Sequence, residues 1–240
     1  MILDKKIAIL TGATGGMGRA ITSALIRNGV MVYGIGRNAD TLKKIQEEEG
    51  ENFHPAQLDI TDEAKVDQWI KDNFSATHCP DILINNAGVG SFHKIDETTT
   101  GTWLEMVNTN LNGMFYITSR VAALMKQKGT SSHIINIGSI LGKIGRVKSA
   151  AYCTTKFGVH GFSAALLLEL RQYNIKVTCF SSGSIETGFF KTSGIEPHEN
   201  MLHPSDLANS IIHILQTPDN MLIDEIVVRP LNPKAPEHII

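Results

Sequence analysis

Cysteine is scarce in this chain, and so is any excess of one charge. Among its 240 residues there are only 3 cysteines, Cys79, Cys153 and Cys179, and no two of them have C-x-x-C spacing. Their small, odd number argues against a disulfide framework and against a zinc site, so we expect no bound metal. Lys and Arg number 22 against 24 Asp and Glu, a net charge of −2. The chain therefore lacks the broad basic field that would attract nucleic acid.

Long apolar runs are also missing. No stretch approaches the ~20 apolar residues that a membrane-spanning helix needs. The first residues, Met1 to Lys6, lead straight into a strand-like run and do not resemble a signal peptide. We therefore expect a soluble, cytoplasmic protein with neither a membrane nor a nucleic acid as partner.

What the sequence does contain is a regular alternation of short apolar runs and longer amphipathic ones, without a linker or repeat. The predicted strands are 6–10, 31–35, 54–58, 81–84, 133–138, 175–180 and 225–229. The predicted helices are 17–28, 39–49, 62–73, 100–127, 150–172 and 204–216. Strands rich in Ile and Val, separated by helices, favour a parallel sheet covered on both faces. We predict an α/β fold with a single doubly wound Rossmann domain, residues 1–240, and about seven strands.

A glycine-rich segment follows the first predicted strand and reads Thr-Gly-Ala-Thr-Gly-Gly-Met-Gly at 11–18. Gly12, Gly16 and Gly18 stand where the strand turns into a helix, whose first turn offers free N–H groups and the positive end of its dipole. Glycine lets the backbone turn sharply and approach phosphates. The spacing differs from G-x-G-x-x-G, and a plain turn is the alternative. We favour a pyrophosphate-binding loop.

Tyr152 and Lys156 are four residues apart, so on a helix both side chains project from one face. A phenol with a pKa of ~10 is protonated at neutral pH, and a neighbouring ammonium favours the phenolate. The hydroxyl of Tyr152 then becomes a usable general acid or base. Ser139 ends a predicted strand thirteen residues earlier and is a candidate for the same site.

These motifs together resemble the short-chain dehydrogenase/reductase family, and the resemblance covers almost the whole chain. It rests on residues that occur in the family's order and at its spacing: Thr11 to Gly18, Asp59, the Asn-Asn-Ala-Gly at 85–88, Asn110, Ser139, Tyr152 and Lys156.

The resemblance implies a catalytic set. Tyr152 exchanges a proton with the substrate oxygen, and Ser139 donates a hydrogen bond to that same oxygen. Lys156 lowers the pKa of Tyr152 and holds the nicotinamide ribose, while Asn110 bends a helix and supports a water relay. The hydride belongs to the cofactor. Each residue also has an ordinary structural alternative, such as a buried helix tyrosine or a solvated lysine.

The resemblance also implies a cofactor-binding set. Its members are Gly12, Thr14, Gly16, Met17, Gly18, Arg37, Asp59, Asn86, Tyr152, Lys156, Ile185 and Thr187. Asp59 resembles the residue that contacts adenine, although an Asp at this point also suits a helix cap. Asn86 lines the cofactor cleft and at the same time stabilises the sheet.

The end of the second predicted strand bears on the choice of cofactor. NAD-preferring enzymes of this type have an Asp or Glu there, because a carboxylate binds the ribose hydroxyls and repels a 2′-phosphate. Here Gly36 takes that place and Arg37 follows, with a guanidinium able to bind the phosphate. We predict NADP (NADPH) as the cofactor, with NAD less favoured. A solvated arginine is the alternative.

Two regions depart from the family pattern or lack periodicity. Ser182 replaces the usual proline after the sixth strand, which predicts a more mobile loop. Residues 188–204 suggest a substrate lid. For its apolar residues, Phe189, Phe190, Met201 and Leu202, a pocket wall and a cover for the core remain equal alternatives. For the lone histidines His198 and His203 we favour a surface position.

Cationic residues on the opposite side of the expected pocket leave two readings open. Lys143, Arg146 and Lys148 either recognise an acidic substrate or are solvated loop charges, and we favour the second because no partner is visible in the sequence.

We predict an NADP-dependent oxidoreductase that interconverts a secondary alcohol and a ketone or aldehyde. The alternatives are a 3-oxoacyl-thioester reductase and, in a different class, a non-catalytic dinucleotide-binding sensor or scaffold. The expected partners are a small-molecule substrate and further copies of the chain. The resemblance implies a homotetramer or dimer, formed through the helices at 100–127 and 150–172 and the final strand near Ile226.

Overall fold

The sheet has the predicted doubly wound topology. In a computed structural model, which describes residues 1–189 and 199–232, seven parallel strands have the order β3-β2-β1-β4-β5-β6-β7. The strands are β1 Ile7–Thr11, β2 Met31–Gly36, β3 Phe53–Gln57, β4 Ile82–Asn85, β5 Ser132–Ile137, β6 Ile175–Ser182 and β7 Glu225–Val228. The strand order reverses between β1 and β4, and a crevice opens there at the carboxyl ends of the strands.

Every predicted helix is present. The helices are α1 Gly16–Arg27, α2 Ala39–Glu49, α3 Glu63–Asn73, α4 Thr100–Val107, α5 Met114–Lys128, α6 Ala150–Leu170 and α7 Pro204–Leu215. One prediction needs correction: the helix at 100–127 is not continuous, because a π-helical segment, Asn108–Gly113, separates α4 from α5. A π-helical turn holds more residues than an α-helical one and is frequent at functional sites.

The core lies on both faces of the sheet. Along β1, Ala8 and Leu10 face a cluster that includes α1 and α7. Ile9, between them, faces a second cluster formed with α3, α5 and the end of α6. Successive side chains of a strand point to opposite faces, so a central strand with both faces covered is apolar throughout. The sequence contains short Ile-rich runs because the central strands are covered on both faces.

Strand β6 extends two residues beyond its prediction, through Ser182. Ser182 pairs with Val228 of β7 and is buried, and the next residue, Gly183, donates its N–H to the Val228 carbonyl at 2.8 Å. A proline at 182 would have no N–H to contribute to a sheet. The strand thus runs through the position at which the family pattern has proline, and the greater mobility of the following loop stays a prediction.

Candidate active site

The glycine loop lies at the crevice, between β1 and α1. Gly12 has a φ of +68°, and a Cβ there would come within 2.8 Å of the Ala87 Cα. A Cβ on Gly18 would lie 2.1 Å from the Gly12 carbonyl oxygen. Only glycine allows both approaches. The loop therefore brings backbone N–H groups and the beginning of α1 close to the end of β4.

Thr11 and Asn86 fasten this loop to β4. The Thr11 Oγ1 accepts hydrogen bonds from the backbone N–H groups of Asn86 and Ala87, both at 3.0 Å. The Asn86 side chain donates to the carbonyl oxygens of Thr11 and Gly12 at 3.0 and 3.1 Å. Asn86 was predicted to line the cleft, and its side-chain amide holds the glycine loop in place. From the sequence, Thr11 was predicted only as part of the glycine-rich motif. Its position at the end of β1 is the feature that could have indicated its role in joining the loop to β4.

Ser139 and Tyr152 meet at the carboxyl end of β5. Ser139 follows β5 and is buried, and its Oγ accepts from the Leu141 N–H at 3.2 Å. Tyr152 lies in the first turn of α6 and is only 8% exposed. Burial raises the pKa of Tyr152 to about 12, and a hydrogen bond with Ser139 acts in the opposite direction. Desolvation of the phenolate is the largest of these effects, and the lowering of this pKa by Lys156 stays a prediction.

Lys156 is one helical turn beyond Tyr152, as predicted. Its Nζ donates to the Ile137 carbonyl oxygen at 2.9 Å and lies 5.8 Å from the centre of the Tyr152 ring. Burial lowers its pKa to about 8, partly offset by Cys179. A Cβ on Gly88 would lie 3.7 Å from this Nζ. The lysine thus borders the crevice, at the loop that follows β4.

Asn110 lies in the π-helical segment and connects two other parts of the site. Its side chain exchanges two hydrogen bonds with the Val89 backbone, both at 2.9 Å. It also donates to the Thr155 Oγ1 at 3.0 Å. The irregularity predicted at Asn110 is therefore present as a π-helix, and it lets a buried amide link the loop after β4 to α6.

At the other end of the crevice are the residues predicted to hold the adenosine half of a dinucleotide. Gly36 ends β2 against Thr14, whose methyl carbon is 2.7 Å from where a Cβ of Gly36 would lie. Arg37 follows and is exposed. Asp59 accepts from the N–H and hydroxyl of Thr61 at 2.9 and 2.8 Å.

The capping role considered for Asp59 belongs to another residue. The side chain of Asp62 accepts from the Lys65 N–H at the start of α3, so Asp59 shapes the preceding turn instead. Met17 lies in the first turn of α1, and its side chain is buried in the core. Only its backbone therefore faces the loop.

Residues 183–187 close the crevice on the side of β6. Ile185 pairs with Leu202, and the Glu186 N–H donates to the Leu202 carbonyl at 2.9 Å. Thr187 faces the glycine loop, with its methyl carbon 3.2 Å from where a Cβ of Gly16 would lie. The two residues predicted to approach the nicotinamide thus flank the same crevice as the glycine loop.

Aromatic rings surround Tyr152 on the side away from the glycine loop. The rings of Phe92 and Phe189 have their centres 5.1 and 6.0 Å from that of Tyr152. A cavity of about 210 Å³ adjoins them, lined by Gly88, Val89, Gly90, Ser91, Thr102, Glu105, Met106 and Phe189. Sequence reasoning missed Phe92 and Glu105, because their neighbours in space come from distant segments.

The predicted lid, 188–204, falls largely outside the described residues, and so do Phe190 and His198. Of its described apolar residues, Phe189 belongs to the wall near Tyr152, whereas Leu202 packs against the core beside α1 and α7. Met201 is buried. His203 is a surface residue, as favoured, with its Nδ1 3.1 Å from Glu186 Oε2.

A family model described as short chain dehydrogenase matches residues 6–197. The chain belongs to the short-chain dehydrogenase family. It is 32% identical over 231 residues to an uncharacterized oxidoreductase of Staphylococcus aureus, covering 96% of this chain and 99% of the relative. It is an oxidoreductase of this family.

Solved structures of the family superpose over nearly the full chain. The closed form of a serine dehydrogenase complexed with NADP+ is 27% identical, with a TM-score of 0.88 over 98% of this chain and 99% of that one. A 3-ketoacyl-(acyl-carrier-protein) reductase from Brucella melitensis, complexed with NADH, is 25% identical, with a TM-score of 0.87 over 95% and 97%. These likenesses confirm the predicted family and fold.

The cations opposite the aromatic wall differ in their surroundings. Lys143 has a partner that the sequence did not reveal, since its Nζ lies 2.7 Å from the Glu225 Oε2 at the start of β7. Arg146 and Lys148 are exposed. Lys143 is thus an exposed loop charge, as favoured from the sequence, that also pairs with Glu225.

Residues 1–189 and 199–232 contain neither a membrane-spanning helix nor a cluster of metal ligands. No helix in this part of the chain has the length and apolar character to cross a bilayer. No group of three or more His, Cys, Asp or Glu residues in it is arranged to hold a metal ion.

Proposed function

We propose that the chain is an NADP-dependent oxidoreductase that interconverts a secondary alcohol and a ketone or aldehyde. The observation that carries the proposal is the convergence of Ser139, Tyr152 and Lys156 in a buried site at the switch point of the sheet. Ligands of doubly wound folds bind at that point. The two solved relatives, one with NADP+ and one with NADH, support a nicotinamide cofactor.

The residues of the crevice fit such a cofactor. Gly12 and Gly18 allow the tight turn that leads from β1 into α1, and the free N–H groups and helix dipole at the beginning of α1 favour an anion such as a pyrophosphate. Lys156, whose Nζ lies next to the backbone at Gly88, would hold the nicotinamide ribose of such a cofactor. When bound, the cofactor supplies or accepts a hydride.

Tyr152 and Ser139 act on the substrate oxygen. In reduction the phenolic proton of Tyr152 passes to the carbonyl oxygen, while the Ser139 hydroxyl donates a hydrogen bond to the same atom. The phenolate that remains is stabilised by the ammonium of Lys156 and regains a proton from solvent by way of Lys156, with Asn110 supporting the water relay that the family resemblance implies. In oxidation the same proton moves in the opposite direction. Burial raises the pKa of Tyr152, so the phenol is protonated at neutral pH, the form that reduction requires.

Replacement of the phenol tests this proposal against a sensor or scaffold. With NADPH and a panel of ketones, aldehydes and 3-oxoacyl thioesters, we expect kcat of Tyr152→Phe to fall about 100-fold or more, because it lacks the transferred proton. NADPH affinity, measured by fluorescence, should stay within about 3-fold of the native value. Tyr173→Phe is the matched control, since Tyr173 is exposed and contacts Lys126. NADPH binding by the native chain without turnover of any carbonyl would favour the sensor.

We also propose a cytoplasmic homo-oligomer, a tetramer in the form the family resemblance implies. Large apolar side chains are exposed on helices α4, α5 and α6: Leu104, Phe115, Phe157 and Leu168. A second copy of the chain is the occupant that suits them, because these are the helices expected to form the interface. Three free, buried thiols suit a reducing compartment.

A further inference from the structure

His160 lies directly behind Ser139. It is on α6, one turn beyond Lys156, and its side chain is 16% exposed. A Cβ on Gly142 would come within 2.4 Å of its ring carbon, and a Cβ on Gly138 within 3.2 Å of its Nε2. Glycine on both sides of Ser139 therefore leaves the space that the imidazole fills.

The imidazole connects three segments that are distant in sequence. Its Nε2 lies 2.9 Å from the Ser181 Oγ on β6 and 3.3 Å from the Ser139 carbonyl oxygen. Its Nδ1 lies 3.2 Å from the Glu225 Oε1 on β7. The other carboxylate oxygen of Glu225 binds Lys143. The carboxylate thus orients the ring from one side and holds the loop after Ser139 from the other.

The Ser139 carbonyl is the point at which this arrangement reaches the active site. It accepts from the Gly142 N–H at 2.9 Å within the turn Ile140–Gly142, in addition to its contact with His160. Fixing the carbonyl holds the peptide plane of Ser139, and the Leu141 N–H of the same turn holds its Oγ at 3.2 Å. Small displacements of a catalytic group are costly, because a 1 Å misplacement can lower a rate by about 100-fold.

We propose that His160, oriented by Glu225, is a positioning residue that fixes Ser139 for its contact with the substrate oxygen. His160 acts through the Ser139 backbone and through Ser181, and has no contact with Tyr152 in this role. The inference rests on the proposed function, because it assigns to Ser139 the hydrogen bond to that oxygen.

His160→Leu and Glu225→Gln test the proposal. We expect kcat of His160→Leu to fall about 10-fold to 100-fold, with a smaller fall for Glu225→Gln. NADPH affinity should change by less than about 3-fold, because no cofactor contact is altered. His160→Gln, which keeps a polar group near Ser181 and Ser139, should recover most of the lost rate. His213→Leu and Asp67→Asn, both at exposed positions on other helices, are the matched controls.

A double-mutant cycle separates positioning from general stability. If His160 acts through Ser139, then His160→Leu should cost less than about 3-fold in kcat once Ser139→Ala has removed the hydroxyl. Equal costs in the two backgrounds would overturn the proposal. So would a His160→Leu enzyme that behaves like its His213→Leu control.

A readout independent of turnover distinguishes failure of this inference from failure of the proposed function. Hydrogen exchange at the Gly142 amide, which donates to the Ser139 carbonyl, should be at least about 10-fold faster in His160→Leu and in Glu225→Gln than in the controls. Unchanged exchange contradicts the positioning role even if the native chain turns over no carbonyl. Should His160→Leu fail to fold, Glu225→Gln carries the same comparison.

Discussion

In water, tyrosine and lysine side chains have nearly equal pKa values, ~10 and ~10.4. In the folded chain the pKa values of Tyr152 and Lys156 move apart. Burial favours the neutral form of each side chain. It raises the pKa of the Tyr152 phenol to about 12 and lowers the pKa of the Lys156 ammonium to about 8. Both shifts follow from loss of solvent, the first of the three causes that shift a pKa. The consequence is a protonated acid next to a lysine whose charge responds to small changes in its surroundings.

Arg37 is the side chain on which the proposed preference for NADP rests. We expect kcat/KM for NADPH to exceed that for NADH in the native enzyme, because the guanidinium binds a 2′-phosphate where no carboxylate repels it. Arg37→Ala should lower kcat/KM for NADPH about 10-fold to 100-fold, the value of one charge-assisted hydrogen bond. NADH should be affected little.

Arg171→Ala serves as control for this substitution, since Arg171 lies at the opposite end of the sheet, beyond α6. A native enzyme that prefers NADH would contradict the NADP proposal.

At the scale of elements, buried charge fastens the amino end of the central strands. Asp81, just before β4, binds Lys6 at 3.0 Å and the Ile7 N–H at 2.9 Å, and also binds Lys128 at the end of α5. Burial acts to raise the pKa of Asp81, but the bonds from Lys128, Ile7 and Lys6 outweigh it and the pKa lies below its ordinary range. This carboxylate joins β1, β4 and α5 at the edge opposite the site.

Asp81→Asn should lower the free energy of unfolding at pH 7 by about 3 kcal/mol, because two lysines lose a buried partner. A depressed folded-state pKa means that the carboxylate stabilises the fold above the unfolded pKa, and that this contribution is lost as pH falls through the folded pKa. The difference between native and variant should therefore shrink on acidification below the ordinary carboxyl range. Denaturant unfolding at pH 7 and in acid measures it, with the exposed Asp67→Asn as control. A difference that does not depend on pH would exclude the ionic explanation.

Strands and helices were predictable because their signal is local, whereas the finer geometry depends on contacts between distant segments. Apolar runs such as 6–10 mark a strand covered on both faces. The break at Asn110 depends on its bonds with Val89 and Thr155, and the pairing of Lys143 with Glu225 joins residues that are far apart in the chain. No periodicity of the sequence contains such pairs.

For the candidate site, the motifs of the sequence identified residues that the fold brings to one crevice, but not the environment of each side chain. The pKa of Tyr152 is set by burial, a property of the packed molecule. Phe92 and His160 carried no motif, since what distinguishes each is its neighbour in space.

At the scale of the whole molecule, the exposed apolar side chains of α4 to α6 form the surface that we propose a second copy of the chain covers. Sedimentation at assay concentration should give a tetramer, and Phe157→Glu combined with Leu168→Glu should shift it to smaller species, because charges in an apolar interface are costly to desolvate. Ile2→Glu, at another exposed apolar position, should leave the mass unchanged. A native chain that sediments as a monomer would contradict the oligomer proposal.

The two edges of the sheet are unequal in a way that bears on how copies of the chain can associate. At one edge lies β3, which contains Pro55 opposite Gly34 of β2. Proline has no N–H to offer to a strand that would add to this edge. At the other edge β7 is built from Glu-Ile-Val-Val, without proline. Strand-to-strand growth, including the unwanted kind that begins aggregation, is thereby obstructed by proline at β3, whereas at β7 it is limited by the shortness of the strand.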